Sequence, residues 1–210
     1  MQALEIRTLT SETLPLFAQA FYDEWGYECR GDDELAHLIS RWYAAKVSHY
    51  VTFSQLLLND GELIGATLGS MASQRVEVTR WPERFNLDNL EEKIRKHPGS
   101  EPVCFFYRHL FEANENMRAA AAQRGRVFPA ELLFLWVSSR HRGHGYSKRL
   151  LNWAMTTMKE AGATSFCLFT DTNCDVSFYQ RAPWVLEGES PWPDKYGMGG
   201  GKELMFSRSL

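Results

Sequence analysis

Arg142-Gly143-His144-Gly145-Tyr146-Ser147 constrains this chain more than any other stretch. It follows an apolar run, Leu132 to Val137, and opens an apolar-periodic stretch from Lys148 to Ala161. That order reads strand, tight glycine turn, helix. Such a turn aims several backbone N–H groups at one point in front of a helix N-terminus. The point attracts phosphate, because those donors are unpaired within the helix and the helix dipole is positive there. Glycine suits the turn because it tolerates positive φ and lets a ligand approach the backbone. Arg140, Arg142, Lys148 and Arg149 stand around it.

Two familiar phosphate loops do not fit. A Walker loop needs Gly-Lys-Ser/Thr at its end, and a dinucleotide fingerprint needs a third glycine where Lys148 stands. What remains is Arg-x-x-Gly-x-small after a strand ending in Val. Two registers match: Arg140-x-x-Gly143-x-Gly145 and Arg142-x-x-Gly145-x-Ser147. The element resembles the acyl-CoA pyrophosphate loop of the GNAT superfamily of N-acetyltransferases, and the second register, which keeps that family's spacing of five from the strand's last Val to the Arg, is preferred. Ser147 stands where that family usually has Gly or Ala.

The rest of the chain organises around this element. Leu4 to Thr8 alternates like a strand. Ser11 is placed to cap a helix running to about Trp25, with Leu14, Phe17, Ala18 and Phe21 at helical spacing. A second helix is expected over Asp33 to Ala45. Asn59-Asp60-Gly61 between two apolar runs, Phe53 to Leu58 and Glu62 to Gly69, signals a hairpin. Leu87 to Lys96 and Cys104 to Gln123 read as helices, and Glu131 to Val137 as a strand. Gly145 to Ala161 is a helix ended by Gly162. Ser165 to Thr170 is a strand, Asp175 to Arg181 a short helix, and Trp184 to Glu187 with Glu203 to Arg208 the closing strands. This order resembles the GNAT order. The resemblance covers Ala130 to Leu210 best and Leu4 to Ser70 next; Met71 to Pro129 matches nothing. It implies one α/β domain over residues 1–210. Its centre is a twisted, mixed, mostly antiparallel sheet flanked by helices, with 71–129 a helical insertion before the fourth strand.

The resemblance also implies a site. Backbone groups of Leu135, Trp136 and Val137 would face pantetheine, because the family's strand splays from its neighbour there. Arg142, Gly143, His144, Gly145, Tyr146, Ser147 and Lys148 would hold the pyrophosphate. Tyr179 falls where the family's tyrosine protonates the leaving thiolate; a phenol of pKa about 10 gives a proton readily to a thiolate. Pro183 replaces the family's usual Gly after that tyrosine. The family's pantetheine-contacting asparagine lies seven residues before the tyrosine; Asn173 stands six before Tyr179, and Thr172 is an alternative. Glu131, six residues before Val137, falls where the histone-acetylating branch has its catalytic base. A carboxylate there, directly or through one water, would take the proton an ammonium must lose.

The insertion mixes Phe105, Phe106, Tyr107, Phe111 and Met117 with Arg108, His109, Glu112, Glu115 and Arg118. Three roles fit: a lid over the acceptor cleft with Tyr107 and Arg108 nearest the substrate, a homodimer surface, or an extra packing layer.

Composition sets the outer bounds. A net charge of −3 argues against a general nucleic-acid binder. No apolar run approaches the roughly 20 residues that span a bilayer, and the N-terminus lacks the charged and apolar regions of a signal peptide. Cys29, Cys104, Cys167 and Cys174 have no metal-ligand spacing and read as reduced thiols, so a cytoplasmic protein is expected. The resulting expectation is an acyl-CoA-dependent N-acyltransferase. It would move the acetyl group of acetyl-CoA to an amine on a small molecule or peptide, in a ternary complex without metal. The alternative is a non-catalytic CoA-binding regulatory module.

Overall fold

The computed structural model describes residues 4–74, 85–197 and 199–210. Its elements are β1 (Glu5–Arg7), α1 (Leu14–Trp25), α2 (Asp33–Ser48), β2 (Phe53–Asn59), β3 (Glu62–Met71), α3 (Leu87–Lys96), α4 (Ser100–Gln123), β4 (Ala130–Val137), α5 (Tyr146–Glu160), β5 (Ser165–Asp171), β6 (Val185–Pro191) and β7 (Lys202–Ser209). The strands form one seven-stranded sheet in the order β1-β2-β3-β4-β5-β7-β6. Among the described residues only the β4–β5 pair is parallel. This is the expected α/β architecture.

Local chemistry explains the boundaries. The β2–β3 hairpin turns through Asp60 at φ 51° and Gly61 at φ 79°, the left-handed pair that a two-residue turn of this hand requires. The Asp32 carboxylate accepts from the Leu35 N–H at 3.1 Å and starts α2. Ser11 does not cap α1. That helix begins after Thr13, whose hydroxyl donates to the Thr8 carbonyl at 2.8 Å, and Pro15 is in its first turn. The expected helix over Asp175 to Arg181 shrinks to a 3₁₀ turn, Val176–Phe178. Asp175 accepts from the Ser177 N–H at 3.1 Å, and this local bond competes with a helix that Pro183 could not continue.

Alternation along the strands sorts the core into two faces. Phe166 and Leu168 of β5 and Leu204 and Phe206 of β7 pack with Leu151, Ala154 and Met158 of α5. Cys167 and Met205, one residue out of step, pack with Ala113, Met117 and Ala121 of α4. On that same face α1 and α2 cover β2 and β3, with Leu90 and Ile94 of α3 and Val103 and Tyr107 of α4 joining their core. The described part of the insertion therefore packs across the sheet and walls a cleft. Residues 75–84 of the proposed insertion lie outside the described residues.

One close approach gives a stability test. Gly69 sits opposite Phe53, and a Cβ at Gly69 would come within 1.9 Å of the Phe53 ring. Gly69→Ala is expected to cost about 1–3 kcal/mol, as overpacked cores do. Urea unfolding that shows no loss would mean the Phe53 ring moves aside freely.

Candidate functional site

The parallel β4–β5 pair is short. It runs from Ala130↔Phe166 to Leu132↔Leu168 and stops. Beyond it β4 stays paired to β3 as far as Val137, and β5 to β7 as far as Asp171. The two strands splay, and the inner edges of Leu133–Val137 and Phe169–Asp171 have no sheet partner among the described residues. Unpaired backbone inside a sheet is costly unless something else satisfies it. A bulge sharpens the divergence: Phe134 pairs with Leu68 and Leu132 with Gly69, leaving Leu133 as the extra residue.

A cavity of about 600 Å³ opens on the splay. Leu133–Leu135 and Phe169–Asp171 form one side; Trp25, Glu28, Tyr43, Tyr107 and Glu203 reach it from the flanking elements. A second cavity, about 750 Å³, lies between α2, α3 and α4 and does not reach the splayed strands. Arg108 is exposed and lines that second cavity, so of the two residues expected nearest the substrate only Tyr107 faces the cleft. Tyr107 and Arg108 are adjacent on one helix and so point about 100° apart.

The glycine turn stands at the open end of β4. Gly143 has φ 82° and Gly145 φ 78°, and α5 starts at Tyr146 directly after Gly145. The first helical bond there, Arg149 N–H to the Gly145 carbonyl, is 3.1 Å long. The amides of Tyr146, Ser147 and Lys148 thus precede the ladder and have no acceptor within the helix. Gly143, His144, Gly145, Ser147 and Lys148 are exposed and Tyr146 half-buried. Arg142 turns back, donating to Glu24 at 2.9 Å and to the Val137 carbonyl at 3.4 Å. Arg140 pairs with Glu62 at 2.5 Å.

The other expected site residues divide. Leu135 lines the cavity; Trp136 and Val137 are buried on β4 beyond it. Tyr179 lines it half-buried, with its ring 5.0 Å from Trp184 and 5.7 Å from Phe206. Burial, helped by Cys174, pushes its hydroxyl up to about 12, so it stays protonated. Glu131 lines the cavity too, but Arg118 holds its carboxylate at 3.0 Å. Asn173 is exposed; its N–H donates to Asp171 at 2.7 Å and its side chain does not line the cavity. The Thr172 hydroxyl accepts from the Lys202 N–H at 2.9 Å.

Three further carboxylates face the cavity. The Tyr107 hydroxyl donates to Glu28 at 2.9 Å, yet burial and the charge of Asp171 raise Glu28 to about 7. Burial and Asp171 raise Glu203 to about 8. Burial also raises Asp171, against the Asn173 and Cys174 N–H groups that favour its charge. Alternation carried a signal for two of them. Asp171 is in step with Cys167 and Phe169, and Glu203 with Met205, so each puts a charge on a buried face. Nothing local marks Glu28.

A model of the acetyltransferase (GNAT) family matches residues 11–182. The chain belongs to that family. Solved structures carry the same fold at low identity. The arylalkylamine N-acetyltransferase 2 of Aedes aegypti is 17% identical, with 99% of each chain covered and a TM-score of 0.57. The polyamine N-acetyltransferase of Drosophila melanogaster is 14% identical, with 99% of this chain and 100% of that chain covered and a TM-score of 0.56. The PaiA N-acetyltransferase of Thermoplasma acidophilum, solved with coenzyme A, is 15% identical over the whole of both chains, with a TM-score of 0.51. No curated protein matches. Among the described residues, no helix is long and apolar enough to cross a membrane.

Proposed function

We propose that this protein transfers the acetyl group of acetyl-CoA to a primary amine by direct attack in a ternary complex. The observation that carries the reading is the splay of β4 from β5, which opens onto an acid-lined cavity and runs to a glycine turn at a helix N-terminus. Pantetheine lies along the free edge of Leu135 to Val137, with Asn173 or Thr172 across from it. The pyrophosphate takes the amides from Gly143 to Lys148, beside Arg142. The amines named for the structural neighbours support an amine acceptor.

The chemistry balances on two side chains. The amine loses a proton to a carboxylate, its lone pair attacks the thioester carbonyl, and the C–S bond breaks. The thiolate takes the Tyr179 hydroxyl proton, which solvent replaces. Glu131 is one candidate for the base, but it holds Arg118. Glu28, near 7 and held only by a neutral hydroxyl, is better matched to accept a proton at neutral pH. No covalent enzyme intermediate is needed.

A thiol-release assay with acetyl-CoA and a panel of primary amines tests the reading. Acetylated amine and free CoA in equal amounts are expected. CoA binding with no acetylation of any amine would instead make this a regulatory CoA-binding module.

The pH profile tests the base. Glu28 must be ionised to act, so kcat/KM for the amine is expected to rise as pH passes through about 7. Glu28→Gln should remove that limb. Tyr107, Tyr43, Cys29 and Asp171, the groups that face Glu28, are left in place. The same limb surviving in Glu28→Gln but not in Glu131→Gln would return the role to Glu131.

A further inference from the structure

The acceptor side of the cleft holds more negative charge than a buried surface tolerates alone. The β5–β7 register puts Asp171 directly opposite Glu203. Like charges at such cross-strand positions are destabilising. Glu203 is 2% exposed, and its Oε2 has no hydrogen-bond partner among the described residues. The Trp192 indole N–H lies alongside and favours the charged form, but it too is left without a hydrogen bond. Glu28 adds a third charge, close enough that Asp171 opposes its ionisation.

The cations of the cavity are engaged elsewhere. Arg118 pairs with Glu131 and Glu115, and Lys46 lies 5.3 Å over Trp42 and 5.1 Å over Phe111. Among the described residues no Lys, Arg or His forms a salt bridge to Glu28, Asp171 or Glu203. Buried carboxylates are normally paired. Nor do the described His, Cys, Asp and Glu side chains converge to hold a metal ion. The walls are aromatic: Tyr43, whose hydroxyl feels both Glu203 and Glu28, and Tyr107. Aromatic faces attract organic cations.

We infer that the acceptor is a dication, an α,ω-diamine or an amino-guanidine, with its far charge between Asp171 and Glu203 and its reacting amine at Glu28. The inference rests on the transferase reading for the second half of that statement only. Three mutually opposed carboxylates lining one cavity call for more than one positive charge on the molecule that fills it. A monoamine would leave the Asp171–Glu203 pair uncompensated.

Thiol release with 1,4-diaminobutane and 4-guanidinobutylamine, set against n-butylamine and n-pentylamine, tests it. The dications are expected to show kcat/KM at least about 100-fold higher, matching the loss seen when buried charge is left unpaired. Asp171→Asn and Glu203→Gln should each shrink that preference at least tenfold, mainly through KM. Butylamine turned over as well as the diamine would overturn the cation site and leave the transferase reading standing. So would a preference that survives both substitutions in folded protein.

Calorimetry of 1,4-diaminobutane against the CoA-loaded protein reads the cation site without chemistry. Binding that Glu203→Gln abolishes, in a protein that acetylates nothing, would uphold the cation site and sink the transferase reading. Thermal melts give a further readout. Glu203 and Glu28, raised to about 8 and about 7, hold protons more tightly folded than unfolded. Their contribution is present below the ordinary glutamate range and lost as pH rises through 7 to 8. Adding the diamine at pH 8 should restore it, and a melting temperature unmoved by the diamine would count against the site.

Discussion

Tyr179→Phe is expected to lower kcat about 10- to 1000-fold while changing the Kd for CoA little, as removal of one general acid does. The substitution deletes a single oxygen. The ring keeps its contacts with Trp184 and Phe206, so the fold around the 3₁₀ turn should hold. Burial keeps the hydroxyl protonated up to about 12, well above working pH. In the proposed reaction it therefore serves as a proton donor and not a base, and its loss should appear in the breakdown of the tetrahedral intermediate. Single-turnover kinetics isolates that step. Equal single-turnover rates for variant and parent would reduce Tyr179 to a packing residue.

Gly145→Leu is expected to weaken CoA binding at least about 100-fold, or 2.7 kcal/mol and more. Two effects combine. Gly145 has φ 78°, which costs a side-chain-bearing residue about 1–2 kcal/mol. A Cβ there would meet nothing within 4 Å, so the side chain fits the protein itself. The open space it would fill lies in front of the α5 amides, where the pyrophosphate is proposed to sit. The variant should fold with a modestly lower melting temperature and lose its calorimetric CoA signal. Unchanged CoA affinity would mean the phosphates bind elsewhere.

The elements most legible in the sequence are those whose signal is local. Asn59-Asp60-Gly61 specifies its hairpin because only left-handed backbone closes so tight a turn. The strand, Gly143-His144-Gly145 and α5 follow one another within about 30 residues, so their order alone suggests the proposed phosphate site. Ser11 and the segment from Asp175 to Arg181 were harder to read. There the hydrogen bonds of Thr13 to the Thr8 carbonyl and of the Ser177 N–H to Asp175 decided the outcome, because such side-chain bonds compete with a helix in a way that apolar periodicity does not register.

The order of strand, glycine turn and helix marks the family from the chain alone, and the proposed cofactor half rests on those contiguous residues. The proposed acceptor half exists only in the folded chain. The antiparallel register sets Asp171 against Glu203, 32 positions on. Tyr107 meets Glu28 across 79 positions. Arg118 claims Glu131, and a helix rotation sends Arg108 to another cavity. Alternation puts Asp171 and Glu203 on a buried face, but nothing in the sequence sets one against the other, and nothing local marks Glu28. Their chemistry arises from burial and mutual repulsion, and both exist only once distant strands and helices close around one space.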